Sequence, residues 1–425
     1  MKVVFLVGGK GTRLGLKDIP KPMVNFADLP LLERSLKILS SQGFKDIVFF
    51  SGHLSHKIEE HFGDGKKFNV SISHFNEDSP LGTAGPFRIN KKLFREPFLV
   101  IYGDLIFDVD LNKFINFGKN KGGIGSIFIH PNDHPYDSDL VEINSEQRIT
   151  AIHSKPHNLE RYKNLVNAAI YYLDPKIIDF IPENYNSDWG KDIFNIAIKN
   201  SKKLYGYNSS EYVKDIGTPE RIKLAETDFL NGKISSRNYL KKQKAIFLDR
   251  DGVINKEING VFFPTDLLLC DNASTAIKKI NNSQYLCIVI TNQPGIAKGF
   301  FTKEELNEVH KELETQISNS NGSFFDDIYF CPHHPESGFD GEIQHLKVNC
   351  QCRKPNPGMI LDASIKHNID LHKSYLIGDR MSDVNAAISA GVNPILLDKN
   401  INKNMKEKSY ILVDNILEAV ERILN

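Results

Sequence analysis

No stretch of this 425-residue chain approaches the 18 or so consecutive apolar residues that a membrane span requires, so no span is expected. Charge of one sign is not in excess either. Lys+Arg is 53 and Asp+Glu is 53, so the basic footprint of a nucleic-acid binder is missing. Cysteine is scarce: there are five, and three of them (Cys331, Cys350, Cys352) fall in one short region, which argues against a disulfide framework. The opening MKVVFLVGGKGTRL has too short an apolar run for a secretory signal. Together these absences lead to the reducing cytoplasm as the expected compartment. What is present is ordinary globular composition, 40% hydrophobic and 25% charged, at a length that calls for two domains.

Apolar runs alternate with amphipathic stretches. VVFLV at 3–7, DIVFFSG at 46–52 and FLVIYGD at 98–104 read as buried strands, and LERSLKILSSQG at 32–43 reads as a helix. After the polar, basic stretch 231–244 the pattern restarts with AIFLDRDG at 245–252, LCIVITNQ at 286–293 and SYLIGDR at 374–380. This order predicts an α/β protein of two Rossmann-like parallel-sheet domains, 1–238 and 239–425. The motifs of the halves differ, so the chain reads as a fusion of unlike domains. The lysine-rich stretch 399–408 reads as solvated surface.

In the first half, Gly8-Gly9-Lys10-Gly11-Thr12-Arg13-Leu14 follows a strand directly. Glycines there let backbone N–H groups turn onto phosphate, and Arg13 adds a charged fork for phosphate oxygens. Pro20-Lys21-Pro22 places Lys21 between rigid neighbours. The glycine loop joined to Pro-Lys-Pro resembles the sugar-1-phosphate nucleotidyltransferase family, and Leu81-Gly82-Thr83-Ala84-Gly85, Tyr102-Gly103-Asp104, Asn167 and Asp215 continue the resemblance over residues 1–230. Ser154-Lys155-Pro156 stands where many members carry Glu-Lys-Pro, and Ala169 replaces a common glycine. The resemblance implies nucleotide binding at Gly8, Gly9, Gly11, Thr12, Gly82 and Thr83, and sugar binding at Lys155 and Asn167. It implies Mg²⁺ at Asp104 and Asp215. A sugar-phosphate oxygen would attack the α-phosphorus of a nucleoside triphosphate while Arg13 and Lys21 neutralise growing charge.

In the second half, Asp249-Arg250-Asp251-Gly252 ends a strand. Asp249 can attack phosphorus, and Asp251 can move the proton. Thr291 and Lys354 can hold the phosphoryl group, and Asp379 with Asp383 closes a later strand. This ordered set resembles the haloacid dehalogenase superfamily of phosphatases, which implies Mg²⁺ at Asp249, Asp251 and Asp379. Separately, Cys331-x-His333 and Cys350-x-Cys352, parted by residues 334–349, have the ligand types and pairing of a structural zinc site. His334 and His345 are competing ligands, and Cys270 and Cys287 read as core residues.

Within the superfamily, Thr291-Asn292-Gln293-Pro294-Gly295-Ile296-Ala297-Lys298-Gly299, the long cysteine loop and Arg353-Lys354-Pro355-Asn356-Pro357-Gly358-Met359 resemble the heptose bisphosphate phosphatases. They match the histidinol-phosphate group less well. Asn292, Arg353 and Arg380 are the candidates for substrate recognition. The first half is similar to heptose 1-phosphate guanylyltransferases. The halves then fit in series: sugar bisphosphate to sugar 1-phosphate to nucleotide sugar, with GTP as the donor that the resemblance implies. The alternatives are a hexose 1-phosphate nucleotidyltransferase, such as one for mannose 1-phosphate, fused to a histidinol-phosphate-type phosphatase, or one domain serving as an inactive regulatory module. Oligomeric state stays open.

Overall fold

The computed structural model describes residues 1–9, 11, 14–15, 18–77, 79–183, 186–258, 260–398 and 409–425. The stretch 399–408 read above as solvated surface lies outside them, as do Thr12 and Arg13. Two compact units emerge. One comprises Met1–His130, Tyr136–His157 and Leu165–Asn238, and the other Pro131–Pro135, Asn158–Asn164 and Tyr239–Asn425.

The first unit is built on a nine-stranded sheet. The strand Lys2–Leu6 has Val3, Val4 and Phe5 fully buried, as a strand covered on both faces must. It pairs in parallel with Asp46–Ser51 on one side and Phe98–Tyr102 on the other. Ser71–Asn76 extends the parallel array beyond Asp46–Ser51. The helix Leu31–Ser41 buries Leu32, Leu36 and Leu39 on one stripe.

Past Phe98–Tyr102 the all-parallel expectation gives way. The long strand Val166–Leu173 joins antiparallel, and Gly125–His130 pairs antiparallel with it in turn. A separate two-stranded ribbon, Leu105–Asp108 with Tyr212–Asp215, sets Asp215 opposite Leu105.

The second unit has a six-stranded sheet in which every strand pair is parallel. Lys244–Leu248 lies at its centre, between Tyr285–Asn292 and Tyr375–Gly378. The outer strands are Asp327–Cys331 on one side and Asn393–Leu397 with Ile411–Val413 on the other. In both units the first strand has its neighbours on either side reached by opposite crossovers. That is the topological switch point, where the loops at the carboxyl ends of the strands part and leave a crevice. The glycine loop leaves one such strand and Asp249 the other.

Candidate active sites

At the first switch point a cavity of about 670 Å³ is lined by Gly8, Gly9, Gly11, Lys21, Glu77, Gly82, Thr83, Tyr102 and Asp104, among others. Lys21 is offered by the turn Lys21–Met23, and its ammonium donates to the Asp104 carboxylate. Gly82 sits at φ +78°, and a Cβ there would meet the Ser187 carbonyl oxygen at 2.3 Å, so this turn admits glycine alone. Arg13 and Thr12, expected at the phosphates, lie outside the described residues.

Asp104 and Asp215 come together through the ribbon, where the Ile216 N–H donates to the Asp104 carbonyl at 3.0 Å. The guanidinium of Arg221 forks between Asp215 (2.5 Å) and Asp137 (2.7 Å). Asp137 in turn takes Lys155, whose Nζ lies 3.5 Å from its Oδ1. Lys155 also donates to the Asp137 carbonyl at 2.8 Å. Asn167 donates to the Tyr171 hydroxyl at 3.1 Å and accepts the Ala169 N–H at 3.0 Å. Ala169 sits at φ +57°, a left-handed conformation that glycine adopts without strain.

Sequence reading passed over Glu77 and Arg221. Burial raises the Glu77 carboxyl above its usual range, against the Leu81 N–H it accepts at 3.0 Å. Its only sequence signal was an acidic residue four positions before the glycine turn.

At the second switch point Asp249, Asp379 and Asp383 each bring a carboxylate oxygen within 4.8 Å of the others. Lys354, 4% exposed, reaches Asp249 at 2.8 Å and Asp383 at 2.6 Å, and donates to the Ile290 carbonyl at 3.1 Å. Burial, with Asp383 nearby, pushes Asp249 up to about 7 against the pull of Lys354. Two buried carboxylates and a half-buried one facing one ammonium leave negative charge uncompensated, and the Asp379 Oδ1 atom is itself shielded from solvent without a hydrogen bond. Oxygen donors in that state fit a hard divalent cation. Gly252, at φ +84°, makes room for this: a Cβ there would lie 2.2 Å from Asp379 Oδ2.

The Asp251 side chain stands apart from that trio. It receives Arg250 Nη2 (2.9 Å), Asn255 Nδ2 (3.0 Å) and Gln293 Nε2 (2.9 Å). Burial pushes it up, but the Arg250 charge and these donors hold it below the usual carboxylate range. Thr291 is buried and accepts from Gln293 at 2.9 Å. Asn292 turns its amide onto the Lys354 backbone, Arg353 donates to the His333 carbonyl at 3.3 Å, and the exposed Arg380 pairs with Glu257 at 2.9 Å.

The Cys331, His333, Cys350 and Cys352 donors also converge. Their sulfurs are 3.2–3.5 Å apart, and His333 Nδ1 is 3.3 Å from the Cys352 sulfur. Zinc–sulfur bonds of about 2.3 Å span a tetrahedron with edges of about 3.8 Å, so a modest expansion admits the ion. His334 is not in this group; its Nδ1 faces the Glu336 carbonyl at 3.4 Å. Cys287 is buried in the core as expected, whereas Cys270 is only partly buried and packs against the edge of the core.

Comparison with known proteins places this geometry. The nucleotidyl transferase family matches residues 2–231 and a HAD-hydrolase-like family matches 351–419. The D-glycero-beta-D-manno-heptose-1,7-bisphosphate 7-phosphatase of Haemophilus ducreyi is 34% identical over 181 residues, 42% of this chain and 97% of that one. The chain therefore belongs to the nucleotidyl transferase family through its first part and to the heptose-bisphosphate phosphatase family through its second. The D-glycero-alpha-D-manno-heptose-1,7-bisphosphate 7-phosphatase of Photorhabdus laumondii is also 34% identical, over 43% of this chain and 97% of its own. Among solved structures, HddC from Yersinia pseudotuberculosis is 28% identical, with 54% of this chain and 99% of that one covered at a TM-score of 0.47. No helix among the described residues is long and apolar enough to cross a membrane.

Proposed function

We propose that the chain is a bifunctional enzyme making a nucleotide-activated heptose in the cytoplasm. Residues 239–425 remove the 7-phosphate of D-glycero-D-manno-heptose 1,7-bisphosphate. Residues 1–238 then transfer GMP from GTP to the heptose 1-phosphate, releasing pyrophosphate and GDP-heptose. The observation that carries the reading is the second switch point, where Asp249 meets Lys354 while Asp251 is held separately by three donors. This separates nucleophile from proton carrier.

An Asp249 carboxylate oxygen attacks phosphorus, and the bond to the sugar O7 breaks as Asp251, which takes up a proton in the field of the bound phosphate dianion, hands that proton to O7. Water then cleaves the aspartyl-phosphate, with Asp251 taking the water's proton back. Lys354 and Thr291 offset charge on the phosphoryl oxygens. Mg²⁺ held by Asp249 and Asp379, and in the first unit by Asp104 and Asp215, would supply charge neutralisation. Zinc at the cysteine cluster would hold the loop that presents Arg353 and Lys354. Arg353 and Arg380 are the proposed contacts to the sugar's other phosphate.

In the first unit the glycine loop holds the triphosphate, Lys21 and Arg13 offset charge at the α-phosphorus, and Lys155 and Asn167 hold the sugar. Guanine is supported by Glu77. Guanine offers adjacent donors at N1 and N2, and a carboxylate in the cavity offers the matching acceptors. One reaction tests both halves: protein and Mg²⁺ with the heptose bisphosphate, as either anomer, and equal GTP, ATP, CTP and UTP, followed by mass spectrometry. The expected product is GDP-heptose with released phosphate. Phosphate without any nucleotide sugar would remove the first half of the reading, and no turnover would remove both.

A further inference from the structure

The carboxylate of Asp139 lies beside Asn167 and Lys155. Its Oδ1 accepts the Lys155 N–H at 3.0 Å. Among the described residues no protein group donates to its Oδ2. That second oxygen faces Gly190. A Cβ built on Gly190 would come 2.8 Å from Asp139 Oδ2, 3.4 Å from Asn167 Nδ2 and 3.4 Å from Asp188 Oδ1. Two carboxylates and an amide thus converge on a space kept open by the missing side chain of Gly190.

The space adjoins the nucleotide cavity. Thr83, in the cavity lining, donates to Asp188 Oδ2 at 2.7 Å. Tyr102, also in the lining, meets the Tyr171 ring edge-on at 5.8 Å, and Tyr171 receives Asn167. Burial raises the Asp139 carboxyl, with Asp188 adding to the rise, so the group is desolvated without a full set of donors. Acceptors next to an amide donor suit neutral hydroxyls, which bring both a proton and a lone pair. They do not suit phosphate, which two carboxylates would repel.

We propose that Asp139 is a specificity residue of the transferase, its Oδ2 accepting a hydroxyl proton of the sugar while Asn167 serves a neighbouring hydroxyl. This rests on the reading of the first unit as a sugar-1-phosphate nucleotidyltransferase. The sugar class is then one with vicinal hydroxyls, and removal of the hydroxyl that meets Asp139 costs binding because the half-buried acceptor is left unpaired in the complex.

The test compares the full-length protein with Asp139→Asn, Asp139→Ala and Gly190→Ala, using GTP with heptose 1-phosphate, mannose 1-phosphate and monodeoxy mannose 1-phosphates. Direct titration of GTP and of each sugar 1-phosphate accompanies the kinetics. In all three variants the sugar KM should rise about tenfold to a hundredfold. GTP binding should stay within about twofold. Gly190→Ala acts by filling the space and pushing the carboxylate aside. For one deoxy sugar, wild type and Asp139→Ala should become equal. An unchanged sugar KM in an active Asp139→Asn protein would overturn the assignment and leave the transferase reading standing. Equal losses of GTP and sugar binding would mean a structural role and overturn it too. If the wild-type protein neither binds nor converts any sugar 1-phosphate, the parent reading fails with it.

Discussion

Asn292 clasps Lys354 by its backbone: its Nδ2 donates to the Lys354 carbonyl and its Oδ1 accepts the Lys354 N–H, both at 3.0 Å. The lysine whose ammonium meets Asp249 and Asp383 is thereby fixed at its root by the last residue of a neighbouring strand. Asn292→Ala leaves two backbone groups without that partner and frees the lysine. A loss of about 1–3 kcal/mol, roughly ten- to a hundredfold in phosphatase kcat, is expected. Steady-state phosphate release measures it. Nucleotidyl transfer by the same protein should not change.

Asp249→Asn removes the proposed nucleophile while keeping the shape of the side chain. Phosphate release should fall by roughly a thousandfold or more. Transfer to a supplied heptose 1-phosphate should continue. If both activities vanished together in a folded protein, two independent sites would no longer describe the chain.

Glu77→Gln exchanges one acceptor of the cavity carboxylate for a donor. Against guanine's N1–H and N2–H that donor is misplaced, and kcat/KM for GTP should drop roughly ten- to a hundredfold. The values for ATP and UTP should move little. Competition among the four triphosphates reads the change directly.

Glu314 provides a pH dependence with a definite sign. Its carboxylate is buried in the long helix Lys303–Asn321 and accepts the Asn164 N–H at 2.5 Å. Burial pushes it up to about 7, against the pull of Lys163 and the Asn164 hydrogen bond, with Asp327 adding to the rise. The folded state therefore holds a proton that the unfolded chain has released above about pH 4.3. The resulting stabilisation is complete below that pH and fades as pH rises through 7. Glu314→Gln should thus gain on wild type between pH 5 and pH 8, by about 2–3 kcal/mol. Urea unfolding followed in the second unit at both pH values checks this; a constant difference would refute the assignment.

Chelation, or Cys350→Ser, should strip one zinc per chain and lower phosphatase activity while transfer persists. Metal analysis beside the two assays separates these effects. Loss of activity without any bound zinc in the starting protein would dismiss the metal.

Much of this was legible because its signals are local. A buried run ending in Asp249-Arg250-Asp251, and cysteines paired at single-residue spacing, declare themselves within a few positions. Relationships made by the fold did not. Nothing near Arg221 says that it forks between Asp215 and Asp137, since the partners lie 6 and 84 positions away. Asn292 reads from the sequence as a candidate for substrate recognition, yet the carbonyl and N–H that its amide meets belong to residue 354, 62 positions away. Nothing in the residues of Val166–Leu173 says that this strand joins its neighbour antiparallel.

Lys244–Leu248 is held by a neighbour on each side, so it cannot slip by one residue without breaking two ladders together. Asp249, the next residue along, inherits that register. The aim of the proposed attacking oxygen is therefore set by the sheet interior, and the surrounding loops can diverge in length and sequence without moving it. Damage to the aim would come from inside: a poorly packed residue at Ile246 or Leu248 would misplace the carboxylate in a protein that still folds.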